Sequence, residues 1–258
     1  MGEEDMRVKR VCFFADVQYA PIAPKNGRLY DQGLVRLKRI FEAVQGRADL
    51  YVNLGDSING EEAQPSYQAL MELCDRAAGV KEGGSARVRP FIHVPGNHDG
   101  FALPNAALRS SGFRTYDECG LHWIVLDGNY DWNEIAYDGQ EGDWTRCWIP
   151  KEQQLALQKD LAQCDSAIVL CHYNLDPRED SRFMPGNAEA IRKILEDSGK
   201  VQAVFQGHYH EGYEQVVNGI PYHTIPAVCE DVLGNGTVVY ATADVIDGRL
   251  TNFLLCAQ

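Results

Sequence analysis

The sequence predicts an α/β fold, and three observations carry that reading. Short apolar runs of strand length alternate with helical patterns as far as Phe205. After Gly212 the pattern changes to hairpin-like strands, with Asn218-Gly219, Asn235-Gly236 and Asp247-Gly248 in the turns between them. The chain has 258 residues, 45% of them hydrophobic and 24% charged, which is enough for one large core without disulfides. No repeat, low-complexity stretch or long linker interrupts it, so residues 1–258 are read as a single domain.

The elements follow in order. Val8 to Ala15 reads as a buried strand. Leu34, Leu37, Ile40, Phe41 and Val44 fall on one helical face. Leu50 to Leu54 is a second strand, and Tyr67, Leu70, Leu73, Cys74 and Ala77 mark a second helix. Phe91 to Val94 and Leu121 to Leu126 are further strands. Asp127 to Pro150 has no clean period and carries three of the four tryptophans. Then come a helix over Lys151 to Leu161, a strand over Ala167 to Leu170, a helix over Ala188 to Leu195 and a strand over Val201 to Phe205. The late strands are Tyr213 to Val217, Ile220 to Ile225, Thr237 to Ala243 and Leu250 to Leu255.

Charge and cysteine usage narrow the class. With 24 Lys and Arg against 37 Asp and Glu, the formal net charge is −13. Nucleic-acid backbones and anionic lipids are held by clustered cations, so neither a polymer of nucleotides nor a membrane surface is the expected partner. A small anion is not excluded if something local attracts it. None of the eight cysteines pairs as C-x-x-C, and Cys12 and Cys171 lie in apolar strands, which suits free thiols in a reduced cytoplasm. The start, Met1 to Met6, is acidic, and the apolar run Val11 to Ala15 is too short for a signal-peptide core. No stretch approaches the roughly 18 apolar residues of a membrane span.

The strand ends carry the chemistry. Successive strands run into Asp16-Val17-Gln18, Gly55-Asp56-Ser57-Ile58-Asn59, Gly96-Asn97-His98-Asp99, His172 and Gly207-His208-Tyr209-His210. In open α/β sheets, ligands gather outside the carboxyl ends of the strands. These ends therefore bring Asp, Gln, Asn and His to one place, and those are donors for borderline-to-hard divalent metals. Taken singly, a strand-Gly-Asp or a His-x-His is common in any protein. Five such motifs in this order point to a dinuclear metal site. Gly55, Gly96 and Gly207 each precede a candidate ligand, where backbone must turn sharply in a crowded space.

This ordered set resembles the calcineurin-like metallophosphoesterases, over roughly residues 10 to 230. The resemblance implies a four-layer α/β/β/α sandwich of the metallo-dependent phosphatase type, with the site at the sheet ends. It implies two divalent cations. Asp16 and His210 would hold the first, with Gln18 beside them. Asp56 would bridge both. Asn97, His172 and His208 would hold the second. His98 would face the leaving group, oriented by Asp99. Most of this superfamily has His where Gln18 stands. A neutral amide oxygen there suits Mn2+ or Mg2+ better than softer ions, with Fe or Zn2+ as the other metals such a site takes. The wording Asp16-Val17-Gln18-Tyr19-Ala20, with Gly27-Arg28-Leu29-Tyr30 downstream, is similar to the manganese-dependent ADP-ribose/CDP-alcohol diphosphatase branch.

The expected activity is hydrolysis of a small phosphodiester or phosphoanhydride, such as a nucleoside diphosphate derivative, by hydroxide generated between the cations. Arg28 is the candidate phosphate contact, because a guanidinium fork matches phosphate oxygens. Tyr130, Trp132, Tyr137, Trp144 and Trp148 crowd one loop, and Phe183 and Met184 lie on another. These aromatics either pin their loops to the body or wall the site. A broad phosphomonoesterase is the alternative activity. A non-catalytic scaffold of the same fold would be expected to have lost ligands, and none is missing here.

Overall fold

The computed structural model describes residues 8–79, 90–109 and 111–258. The acidic start Met1 to Met6 lies outside the described residues. In chain order the elements are β1 (Lys9–Phe14), α1 (Gly33–Ala43), β2 (Leu50–Asn53), α2 (Ala63–Ala78), β3 (Phe91–His93) and α3 (Asn97–Ala102). There follow β4 (Arg114–Glu118), β5 (Leu121–Leu126), α4 (Lys151–Leu161), β6 (Ala167–Cys171), α5 (Ala188–Ser198) and β7 (Val201–Gln206). The chain closes with β8 (Tyr213–Val217), β9 (Ile220–Thr224), β10 (Val239–Ile246) and β11 (Arg249–Ala257).

These strands build two sheets, of order β11-β10-β1-β2-β3 and β4-β5-β6-β7-β9-β8. Strands β1, β2 and β3 run parallel, as do β5, β6, β7 and β9. The late hairpins supply antiparallel neighbours at the edges. Strand alternation decides the layers. Val11 and Phe13 of β1 face inward and meet Ile168, Leu170 and Phe205 of the other sheet. The rings of Phe13 and Phe205 stack 4.1 Å apart across that seam. Cys12 and Phe14 face outward, against Leu37 and Ile40 of α1 and Leu70 of α2. On the far side, Val169 and Cys171 pack against Leu157 of α4 and Ile191 of α5. Helix, sheet, sheet and helix make the four-layer sandwich that the sequence predicts. Among the described residues, no helix is long and apolar enough to cross a membrane.

Two elements were not predicted. Helix α3 is a short turn of helix built from the Asn97-His98-Asp99 motif itself. Strand β4 is polar and half-exposed at a sheet edge, so it has no apolar alternation to reveal it. It pairs with β5 through Cys119-Gly120, whose φ angles of 56° and 79° make a tight two-residue turn without the usual Asn-Gly. The last hairpin is also longer than expected, with β10 reaching Ile246. His223, near the motif end in sequence, stays within the sheet, its ring 5.0 Å from Phe205 and 4.0 Å from Phe253.

The edge strand is tied down by charge. His122 on β5 lies 2.7 Å from Asp117 of β4 and 2.7 Å from Asp160 of α4. Burial alone would lower the pKa of this imidazole, but the two carboxylates outweigh burial and raise it. A raised folded value stabilises the protein below the unfolded value of about 6.5, and the gain is lost as pH climbs through the raised value. The stability difference between the wild type and His122→Gln, from urea unfolding, should therefore be larger at pH 6 than at pH 9. A difference independent of pH would show that the pair of carboxylates does not charge the ring.

Candidate metal centre

The site forms where the parallel strands of both sheets end. Four of its side chains sit just past a strand in the left-handed backbone region: Asp16 at φ 52°, Gln18 at 42°, Asp56 at 50° and His208 at 68°. Such conformations cost non-glycine residues about 1–3 kcal/mol each, and they persist only where the surroundings fix them. Here backbone hydrogen bonds do so. Asp16 N–H donates to Gly55 O at 3.0 Å, and Gln18 N–H to Asp56 O at 2.9 Å. The result is that each strand stops and its next polar side chain swings into the space between the sheets' ends.

The two aspartates use their oxygens in the same way. Asp16 Oδ2 accepts His208 N–H at 3.0 Å, which leaves Oδ1 facing His210 Nε2 at 3.4 Å. Asp56 Oδ1 accepts His98 N–H at 2.8 Å, which leaves Oδ2 facing His172 Nε2 at 3.4 Å and Gln18 Nε2 at 3.3 Å. One oxygen anchors each carboxylate and the other is left for the site. His172 Nδ1 lies 2.8 Å from Leu54 O, so it donates there and Nε2 points at Asn97 Oδ1, 3.2 Å away. Gln18 Nε2 lies 3.3 Å from His210 Nε2, and Gln18 Oε1 accepts from Cys229 Sγ at 3.7 Å. A half-turn of that amide would present the oxygen instead.

All seven residues predicted as ligands therefore meet. Asp16, Gln18 and His210 gather on one side, and Asn97, His172 and His208 on the other. Asp56 Oδ2 touches both groups. Ligand atoms of Asp56, His172 and His208 lie within 4.8 Å of one another. Two buried atoms, Asp16 Oδ1 and His208 Nε2, have no hydrogen-bond partner. Unpaired buried acceptors are costly, and a cation at each would satisfy them. The mixed oxygen and imidazole set fits divalent metal ions.

The electrostatics agree. Burial works to raise Asp56, but the His172 and His98 imidazoles overcome it and hold the carboxyl below its ordinary range. Burial likewise works against charge on His172, yet Asp56 pushes it up to about 9. Burial and the neighbouring imidazole of His172 hold His208 well below its usual value. Buried Asp56 thus demands positive charge beside it, which a proton or a metal ion can supply.

The structure corrects one assignment. Asp99 does not orient the His98 ring. Its Oδ2 accepts Gly96 N–H at 3.0 Å and its Oδ1 accepts Ser57 N–H at 2.9 Å, so it caps α3 and ties down the Asp56 loop. Burial and the Asp56 charge push its carboxyl up to about 7. His98 Nδ1 is held instead by the carbonyl of Asn59 at 3.0 Å, and its Nε2 lies 3.9 Å from Asp56 Oδ2. A backbone carbonyl leaves no side-chain signature in sequence.

Glu230 is a residue that sequence reasoning missed. Its Oε1 lies 2.5 Å from His210 Nδ1 and 3.4 Å from Arg28 Nε. Burial opposes charge on His210, but Asp16, Cys229 and Glu230 outweigh it and hold the imidazole well above its usual value. A carboxylate on the second ring nitrogen fixes the orientation of a ligating histidine. Backbone pairing of this loop with Ala15, Asp16 and Arg28, together with Arg36 donating to the carbonyls of Val228 and Glu230, brings it to the site. No period or motif in the sequence marks it.

A cavity of about 360 Å³ opens above the cluster. His98, His208, His210 and Arg28 line it together with Phe101, Trp144 and Phe183. The Trp144 ring lies 5.3 Å from His208 and 5.6 Å from Phe183. The aromatic loop is thus divided in its duties. Trp144 walls the cavity, Tyr137 packs on Phe101 at 4.7 Å, and Trp132 is 67% exposed.

Glycine completes the geometry. Gly55 holds φ 99°, and a Cβ there would come 2.7 Å from His172 Nδ1. At Gly96 a Cβ would collide with the backbone and carboxylate of Asp56. Gly96→Ala should lower stability by about 1–3 kcal/mol through overpacking and displace Asp56. Chemical denaturation and bound-metal analysis together check it, since unchanged values of both would show the contact to be slack.

Comparison with known proteins follows the same lines. A probable cyclic nucleotide phosphodiesterase from Pseudoalteromonas sp. (strain SM9913) is 27% identical over 141 residues, covering 54% of this chain. The match spans half the length of that relative. Among solved structures, a dimetal phosphatase from Danio rerio superposes with a TM-score of 0.76 at 18% identity, covering 96% of this chain and 98% of that one. A purple acid phosphatase from yellow lupin (Lupinus luteus) gives 0.63 at 16% identity, covering 98% of this chain and 52% of that one. Both likenesses are of fold. The family model of the calcineurin-like phosphoesterases matches residues 9–212, most of the chain and every one of its strand-end motifs, and the protein belongs to that family of phosphoric-ester hydrolases.

Proposed function

We propose that this protein is a dinuclear hydrolase of small phosphodiesters or phosphoanhydrides that carry a nucleoside, of the ADP-ribose or CDP-alcohol type. The observation that carries this is a cavity whose lining joins the donor cluster and Arg28 to the aromatic rings of Phe101, Trp144 and Phe183. A phosphate suits the first set of groups and a flat base the second. The Pseudoalteromonas relative favours cyclic nucleotides as a second substrate type with the same two parts.

On this reading Asp16, Gln18 and His210 would hold one cation, Asn97, His172 and His208 would hold the other, and Asp56 would serve both. Mn2+ is the proposed metal, because Gln18 with its amide turned would offer a hard oxygen. Two bound cations would neutralise phosphoryl charge and supply the activated water. The chain does the rest. Asn59 O fixes the His98 ring through Nδ1 and leaves Nε2 on the site side, where it would donate a proton to the leaving oxygen. Glu230 keeps His210 in one orientation and holds Arg28 at the rim, where the remaining guanidinium N–H groups meet a phosphate. All eight cysteines are free, in keeping with a reducing cytoplasm.

The test is a substrate panel with added Mn2+, read as nucleoside monophosphate against inorganic phosphate. ADP-ribose, CDP-alcohols and cyclic nucleotides should release a nucleoside monophosphate, and chelation should abolish the reaction. His98→Ala should lower kcat by about 10²–10⁴-fold with the metals retained. Inorganic phosphate from simple monoesters, with no turnover of the nucleotide compounds, would replace this reading with a phosphomonoesterase.

A further inference from the structure

The residue between the two site histidines, Tyr209, has no place in the chemistry above, yet it is held by a buried polar cluster. Asp176 is fully buried. Its carboxylate accepts from Gln206 Nε2 and Gln215 Nε2, each at 2.5 Å, and lies 2.9 Å from Arg178 Nε. Arg178 also donates from a terminal nitrogen to Thr224 Oγ1 at 2.5 Å. Asp176 and Thr224 thus hold the guanidinium through Nε and one terminal nitrogen, and its central carbon stands over two rings. It stands 5.0 Å from the centre of Tyr209 and 4.4 Å from that of Tyr213. Tyr209 in turn meets Phe183 edge-on at 5.1 Å. Phe183 is a wall of the cavity and lies 5.4 Å from His208.

The same loop is stitched at both ends. Arg178 N–H donates to Met184 Sδ at 3.3 Å, and Asn174 N–H donates to Phe183 O at 3.1 Å. Asn174 Nδ2 also donates to Gly207 O at 3.1 Å, next to His208. The loop that carries Phe183 is therefore fastened to the loop that carries the histidines by Asn174 near the backbone and by Arg178 at the Tyr209 ring.

We infer that Arg178 is a positioning residue for base recognition, which sets the distance between Phe183 and the metal-binding histidines by clamping Tyr209. The inference rests on the reading that Phe183 faces the nucleoside part of the substrate. Arg178 does not line the cavity, so it acts only through Tyr209 and Phe183. Lysine cannot replace it. An ammonium is a compact point charge with no planar face to set over the two rings. Because Lys keeps the charge beside buried Asp176, the variant still folds.

The experiment measures binding of AMP and of inorganic phosphate to the Mn2+-loaded protein by calorimetry. Arg178→Lys and Tyr209→Leu should each weaken AMP about tenfold through loss of the cation–π contact, with phosphate affinity and metal content unchanged. Tyr209→Phe keeps the ring and should bind AMP as the wild type does. Phe183→Ala separates the two levels of the argument. If it weakens AMP while Arg178→Lys does not, the clamp is wrong and the wall stands. If Phe183→Ala itself leaves AMP binding intact, the wall reading fails and takes the clamp with it. Equal loss of AMP and phosphate in Arg178→Lys would also overturn the inference, since it would mean general damage to the metal centre.

Discussion

The arrangement depends on one constraint: two buried carboxylates, each with a single oxygen spoken for. Asp16 and Asp56 are 0% and 1% exposed, and each gives one oxygen to a backbone N–H. A buried anion is destabilising unless opposite charge stands beside it. Everything around them is organised to meet that need. Parallel strands deliver His172 to Asp56 Oδ2 and His210 to Asp16 Oδ1, and left-handed turns aim the aspartates inward. The strain of those turns is offset by the packed seam between the two sheets, where Phe13 and Phe205 stack.

The acidic balance of the chain takes on a more local meaning. A net charge of −13 repels large anions from the surface. Inside the site the same sign of charge recruits cations, and those cations with Arg28 would draw a small phosphate into a confined cavity. On the proposed function, recognition would be shared between charge and the aromatic rings that line the same cavity, with Trp144 and Phe183 supplying the selectivity that cations alone do not.

The layers, and the polar residues that meet at the strand ends, were legible in the sequence for physical reasons. Apolar strands of a buried parallel sheet are continuous runs, and their polar ends stand out sharply against them. What was hidden lacked such contrast. Strand β4 is polar on both faces. Asn59 acts through its carbonyl, which any residue carries. Asp99 has the right identity in the right motif, but its carboxylate turns to three backbone N–H groups and not to His98. Glu230 arrives through a loop fixed by Arg36, a contact between residues 194 apart in the chain. Residue type and spacing reveal what lies at a strand end, but not what a distant loop brings to it.

The central claim is that these strand ends form a centre for two metal ions joined by Asp56. Metal stoichiometry after Mn2+ loading and desalting, by native mass spectrometry of the wild type and Asp56→Asn, tests it most directly. The account predicts two ions per chain in the wild type and loss of paired occupancy in Asp56→Asn. A wild type that holds one ion or none, or an Asp56→Asn protein that still holds two, would contradict it.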